Sequence, residues 1–342
     1  MNRRTWNLVA AGMLALALAV LAATVPVPMV ALGPGPTYDT LGDVDGQPVV
    51  AVDGLQAYPT TGHLNMTTVS VTDRLTLFAT VGLWADGDRQ VVPRSEVFPP
   101  EKSDEQVQQE NTEQFAASEA NAEVAALTEL RLPTRVVVSD LVPNSPAQGR
   151  LEPGDEIVAV SGHPVDTPAA VSGALSTTTP GQSVTITYKR AGQQHDADVV
   201  LGSSPDRPQG LLGVRPGIEP RTGDIRISLG DIGGPSAGLM FALAVIDKLT
   251  PGGLTDGRFI AGTGTITPDG QVGPIGGIPF KMRAARDAGA TVFLVPADNC
   301  GEAEANAPAG LELVRVATLQ DALNGLDALA TGRPAPSCTA AA

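Results

Sequence analysis

The chain has 342 residues, room for one or two domains of ordinary size, and a hydrophobic content of 42% that can fill real cores, which excludes a disordered protein. Charged residues make up 17% and the net charge is -15, so no basic face is available to neutralise phosphates. Nucleic acid is therefore excluded as an expected partner, and the acidity argues against peripheral binding to anionic lipid.

At the N-terminus Arg3 and Arg4 precede a nearly continuous apolar run from Leu8 to Val25, closed by Pro26 and Pro28. The run has about the length needed to cross a hydrocarbon core of roughly 30 Å. Cationic flanks stay cytoplasmic, so residues 1–33 read as a cytoplasmic tip and single-pass signal-anchor, with everything after it on the extracytoplasmic side of the cell membrane. A cleaved signal peptide is the rival reading. Its apolar region normally runs about 7 to 15 residues, and here the run is longer and prolines crowd the cleavage region.

Gly33, Pro34, Gly35 and Pro36 read as a turn-rich segment, and β-like runs follow at Val49 to Val52 and Leu64 to Val71. From Ser103 to about Leu130 the period is helical: Ser103 and Gln106 make a capping box, and Val107, Phe115, Ala122, Ala126 and Leu130 fall on one stripe. Pro133 breaks it.

Residues 131–203 read as a small β-rich module, with a strand at Arg135 to Val138, a short helix near Ala169 to Leu175 and a strand at Ser183 to Lys189. Three strings in it, Ser145-Pro146-Ala147, Leu151-Glu152-Pro153-Gly154-Asp155-Glu156-Ile157 and Gly162-His163-Pro164-Val165, resemble a bacterial PDZ domain. The resemblance implies peptide capture by strand addition, with a terminal carboxylate held in a loop of backbone N–H groups. It places that loop at Leu132 and Pro133, before a docking strand that includes Arg135 and Val136. The loop there lacks the usual Gly-Leu-Gly-Phe signature. A spacer that only packs is the alternative.

Beyond the module, Asp224 to Leu229 reads as a strand and Pro235 to Lys248 as a helix apolar on nearly every face, hence buried. Further expectations are a strand at Arg258 to Ile266, a helix at Pro279 to Ala288, a strand at Thr291 to Val295, and a last strand and helix within Leu311 to Leu326. The fold class is α+β.

Gly234-Pro235-Ser236-Ala237-Gly238 sets a serine at the start of the buried helix, where the N–H groups of a loop including Gly234 and Ala237 could stabilise an oxyanion. A serine hydroxyl needs a base. The order serine, acid, histidine fails because His63, His163 and His195 all precede Ser236. Of the lysines, Lys248 lies roughly 18 Å along the same helix, and Lys102 and Lys189 lie in a polar linker and at an exposed strand end. Lys281 alone follows an apolar, glycine-rich stretch, Val272 to Phe280, that could bury an amine and lower its pKa.

Residues Gly234 to Gly238, with Thr263-Gly264-Thr265-Ile266 and Gly270-Gln271-Val272-Gly273-Pro274-Ile275-Gly276-Gly277-Ile278 through Lys281, resemble the Lon protease family of serine peptidases. The resemblance implies Ser236 as nucleophile, Lys281 as base and Thr263 as the hydroxyl that orients the amine. Two departures stand out: Ile232-Gly233-Gly234 replaces Lys-Asp-Gly, and Thr263-Gly264-Thr265 replaces Thr-Gly-Glu. No Gly-Lys pair occurs, so there is no P-loop and ATP is not an expected ligand.

The whole chain is most similar to PDZ-containing, membrane-bound Lon-like proteins of bacteria, which implies an ATP-independent endopeptidase acting on exported or misfolded proteins. Its partners would be protein or peptide substrates and the lipid bilayer, with no cofactor and no metal; a homo-oligomer enters only by analogy with ring-forming Lon enzymes. The expected peptidase domain is discontinuous, residues 34–130 and 204–330 around the PDZ module, followed by a tail, 331–342. A catalytically silent, anchored PDZ adaptor is the alternative. Cys300 and Cys338 both fall in the extracytoplasmic part, where a disulfide would tie down the tail; two unpaired thiols are the other reading.

Overall fold

The computed structural model describes residues 3–204, 207–230 and 233–338; Ile232 and the last four residues of the expected tail lie outside them. Helix α1, Arg3–Thr24, is apolar on all sides and buries none of its residues. It is long and apolar enough to cross a membrane.

Strand β1, Met29–Asp39, corrects the expected turn at Gly33 to Pro36. The strand survives its prolines for a topological reason. The elements after it are β2, Val50–Asp53, β3, His63–Thr72, helix α2, Leu77–Asp86, and β4, Gln90–Pro93. Strand β4 pairs only with Met29 to Leu32, so Pro34 and Pro36 lie beyond it, where no partner on that side requires their N–H. On the other side β3 runs antiparallel to β1, with a register shift between Pro34 and Thr37. A Cβ at Gly35 would stand 2.8 Å from the Thr68 carbonyl oxygen, so only glycine allows this approach.

Helix α3, Asp104–Glu129, carries the expected capping box of Ser103 and Gln106. The chain then makes the small module: β5, Thr134–Leu141, β6, Glu156–Val160, helix α4, Pro168–Leu175, β7, Ser183–Arg190, β8, Gln193–Val200, and β9, Val214–Pro220. Their order in the sheet is β8-β7-β6-β5-β9. The entry and exit strands β5 and β9 pair with each other, and the Arg221 N–H donates to the Pro133 carbonyl at 2.8 Å. A module with adjacent ends can be inserted without disturbing its host.

Strand β10, Asp224–Ile227, pairs with β2 and returns the chain to the first body. There follow helix α5, Gly238–Leu249, β11, Phe259–Gly262, helix α6, Ile278–Asp287, β12, Val292–Pro296, helix α7, Cys300–Ala305, β13, Glu312–Val316, and helix α8, Leu319–Ala330. The six-stranded sheet runs β13-β12-β11-β3-β1-β4, so strands from both sides of the module share it. Alternation decides its two faces. Ile260, Val292, Leu294 and Val314 join the core of α3, α5 and α8, while Ala261, Phe293 and Val295 join that of α6 and α7. The result is a layered α+β body with helices on both faces.

Candidate active site

Two helices from opposite faces meet over the carboxyl end of β11. Helix α5 is buried almost throughout, and Ser236 precedes it by two residues rather than sitting in its first turn, because Ala237 is the N-cap. Three backbone groups of the serine loop are held by hydrogen bonds. The Gly234 N–H donates to the Asn111 carbonyl at 3.1 Å, and Ser118 Oγ donates to the Pro235 carbonyl at 3.0 Å. The Ser236 carbonyl accepts from the Gly264 N–H at 2.9 Å and from Thr263 Oγ1 at 3.0 Å. Gly234 sits at φ +96°, a left-handed conformation that favours glycine. Asn111 and Ser118 both belong to α3, which packs along α5 through an edge-to-face contact of Phe115 on Phe241, centroids 5.6 Å apart.

Lys281 enters from α6, which Gly277 starts in the left-handed conformation. Its side chain is 3% exposed and Thr263 is fully buried, while Ser236 is half-buried and reachable. Lys281 Nζ lies 2.8 Å from Ser236 Oγ and 2.9 Å from Thr263 Oγ1. Burial pushes the amine down from 10.5 to about 7. The proton inventory fixes its direction. Thr263 spends its one proton on the Ser236 carbonyl, so it faces the lysine with a lone pair and takes an N–H. A neutral amine held that way has its own lone pair left for the serine O–H.

The dyad opens on a cleft of about 490 Å³ whose lining includes Tyr38, Met66, Phe115, Thr265, Ile275 and Gly276. Asn299 grips the rim: its Oδ1 accepts the Ile275 N–H and its Nδ2 donates to the Ile275 carbonyl, each at 2.9 Å. The next residue, Cys300, is disulfide-bonded to Cys338. The tail thereby lies along β13, with the Arg315 N–H donating to the Pro336 carbonyl at 2.9 Å. None of the histidines hydrogen-bonds to Ser236: His63 pairs with Asp39 at 2.6 Å and His195 packs on Tyr188. Among the described residues no cluster of three or more His, Cys, Asp or Glu could hold a metal ion.

The expected peptide edge at β5 needs correction. Strand β5 has β6 on one side and β9 on the other, so it has no free backbone to offer. Leu132 packs on the large core, the Pro133 carbonyl is taken by Arg221, Arg135 pairs with Glu219 at 2.8 Å, and Val136 is buried in the module. On the side of β5 the sheet ends at the edge strand β9. It faces α4 across a cleft of about 440 Å³ lined by Ser172, Leu175, Leu212 and Val214 among others, and Gly210-Leu211-Leu212-Gly213 leads into the strand. That glycine-leucine string was the available signal. It fell beyond residue 203, where the module was expected to end.

A layered α+β body that holds a reachable serine hydroxyl against a buried amine has the arrangement that serine peptidase chemistry requires. Residues 228–326 match the Lon protease (S16) C-terminal proteolytic domain and residues 106–201 match the PDZ domain, so the chain carries a Lon-type proteolytic domain together with a PDZ domain. It is 39% identical over 93 residues to the Lon protease of Azospirillum brasilense, covering 26% of this chain and 11% of that protein. It is 32% identical over 111 residues to Lon protease 2 of Bacillus subtilis (strain 168), covering 32% of this chain and 20% of the relative. The matches thus span 11% and 20% of these relatives' own lengths. The solved PDZ domain of an SdrC-like protein from Listeria monocytogenes is 23% identical, covering 23% of this chain and 84% of that one, with a TM-score of 0.22.

Proposed function

We propose that the chain is a membrane-anchored serine endopeptidase that works without ATP on exported or misfolded proteins. Ser236 is the nucleophile, Lys281 the general base and Thr263 the group that orients the amine. The observation that carries this reading is the 2.8 Å approach of a buried lysine nitrogen to a reachable serine oxygen.

As Oγ attacks the carbonyl carbon of the substrate, its proton passes to Nζ and the carbonyl oxygen takes the negative charge. The Gly234 N–H is spent on the Asn111 carbonyl, so the N–H groups of Ser236 and Ala237, at the positive end of α5, are the ones suited to meet that charge. When the tetrahedral species collapses, the C–N bond breaks and Nζ returns the proton to the departing amine. Water then attacks the ester, Nζ again taking a proton, and Ser236 is released.

Helix α1 serves as the anchor, with the catalytic part extracytoplasmic, where the disulfide is at home. Protein termini dock on the free edge of β9 and raise the local concentration of substrate at the cleft. A serine-reactive fluorophosphonate probe tests the reading. Labelling of the intact protein that disappears in Ser236→Ala and in Lys281→Ala supports it, and absence of labelling at every pH from 6 to 10 would overturn it in favour of a silent adaptor.

A further inference from the structure

Helix α2 is a complete helix with nothing to pack on along one face. Thr76 caps its start, accepting the Ala79 N–H at 3.3 Å, and Gly87 closes it in the left-handed conformation. Between these caps none of its residues is buried. Leu77, Phe78, Val81 and Trp84 share one face by helical spacing and are 47%, 57%, 53% and 71% exposed. Thr80 and Leu83, on the other side, are half-buried. An apolar face of this kind on a water-soluble surface marks a contact with something else.

The position of α2 identifies the occupant. The chain leaves α1 at Thr24, and two residues later Pro26 bridges to Thr76, the N-cap of α2. The Val27 N–H donates to the Leu75 carbonyl at 2.7 Å, and α1 and α2 pack against each other. Helix α2 thus starts at the level where the apolar span ends, which is the headgroup boundary of a bilayer. Its residue types suit that depth: aliphatic side chains and Phe78 for the acyl region, and a tryptophan whose ring is apolar and whose N–H wants a polar partner. A net charge of -15 leaves apolar insertion, and not attraction to anionic lipid, as the source of the contact.

We infer that α2 lies in the plane of the outer leaflet as a second footing beside the α1 span. This deepens the proposed anchoring and rests on it. Two footings fix the orientation of the peptidase body, where one span alone would leave it free to swing. The link reaches the catalytic lysine's helix, because Arg283 of α6 pairs with Asp88, just after α2, at 2.8 Å.

The chain has two tryptophans, Trp6 in α1 and Trp84 in α2, which makes the test direct. Full-length Trp6→Phe and Trp84→Phe proteins are reconstituted in phosphatidylcholine vesicles with lipids brominated near the headgroup, and hydrolysis of a short peptide confirms that each is intact. The expected result is a blue-shifted Trp84 emission, quenched at least twofold by the brominated lipid, insensitive to salt and protected from iodide. If iodide reaches Trp84 and bromine does not, while Trp6 is quenched by lipid, this inference falls and the anchor stands. If neither tryptophan is quenched by lipid, the anchoring reading falls with it. A Trp84 shielded from both quenchers, with chains that cross-link through α2, would assign the face to a second copy and overturn the inference.

Discussion

Lys281 costs the protein stability in order to be useful. Its pKa falls from 10.5 in the unfolded chain to about 7 in the fold, so between those values the unfolded state binds a proton that the native state does not. Stability therefore rises with pH from about 7 to about 10.5, and at neutral pH the buried amine withholds on the order of 4–5 kcal/mol. Lys281→Met should melt higher than the parent at pH 7, by several degrees in a calorimetric scan, and the difference should vanish near pH 10.5; an equal or lower melting point at pH 7 would contradict the burial argument. The same number governs activity. A base must be unprotonated, so kcat/KM for a peptide substrate should rise through an apparent pKa near 7 and level off above it. Lys281→Arg keeps a cation that cannot give up its proton, and the rate should fall about 10²- to 10⁴-fold at every pH. Recovery of the Arg variant at high pH would remove Lys281 from the mechanism.

Helix α3 sets the serine loop through Ser118 and the Asn111 carbonyl, although it comes more than a hundred residues earlier in the chain. Ser118→Ala leaves the Pro235 carbonyl without that donor and frees the peptide unit joining Pro235 to Ser236. The expected outcome is a kcat about tenfold lower with KM and the pH midpoint unchanged, as follows when a group matters only in the transition state; a change confined to KM would refute the positioning role. The disulfide acts at the opposite rim. In the loop-entropy account, closing the 38-residue separation between Cys300 and Cys338 is worth about 3–4 kcal/mol. Reduction should lower the melting temperature, and should loosen the neighbouring Asn299 clamp on Ile275, seen as faster hydrogen exchange of the Ile275 amide. These elements differ in how far they could be read from sequence. Ser236, Thr263 and Lys281 stand in three glycine-marked strings, each close to an element boundary, and it was the resemblance of those strings to the Lon family that grouped them. The clamp of α3 on the loop is a contact between distant segments, and neither Ser118 nor Asn111 has a local signature. Strand β1 was hidden because Pro34 and Pro36 normally break strands, and only the short reach of β4 explains their survival.

At the scale of the whole chain, the inserted module and its host share one seam: α3 runs out of the peptidase core into β5, and β9 runs through β10 back to β2. The module read from sequence stopped at residue 203, short of β9, and its docking edge fell on the strand that turns out to be interior, because pairing of first and last strands is invisible to local pattern. With β9 as an edge strand, a peptide captured as proposed would lie between that strand and α4, its terminal carboxylate toward the Gly210 to Gly213 turn. Docking there and cleavage at Ser236 are then separate events on one polypeptide, and the gain from docking is a gain in effective concentration. It follows that filling the groove should affect long substrates alone. Ser172 is exposed on α4 and lines the groove without belonging to either core, so Ser172→Arg blocks the site with little risk to folding. For an unfolded protein with a free C-terminus KM should rise about tenfold or more, with the 10²- to 10⁴-fold that linkage of two sites can supply as the ceiling. For a short peptide that reaches only the cleft, kcat and KM should both stay at parental values. Equal losses on both substrates would mean that the module supports the fold and not the capture of substrate, and no loss on either would return β9 to the role of an ordinary edge strand.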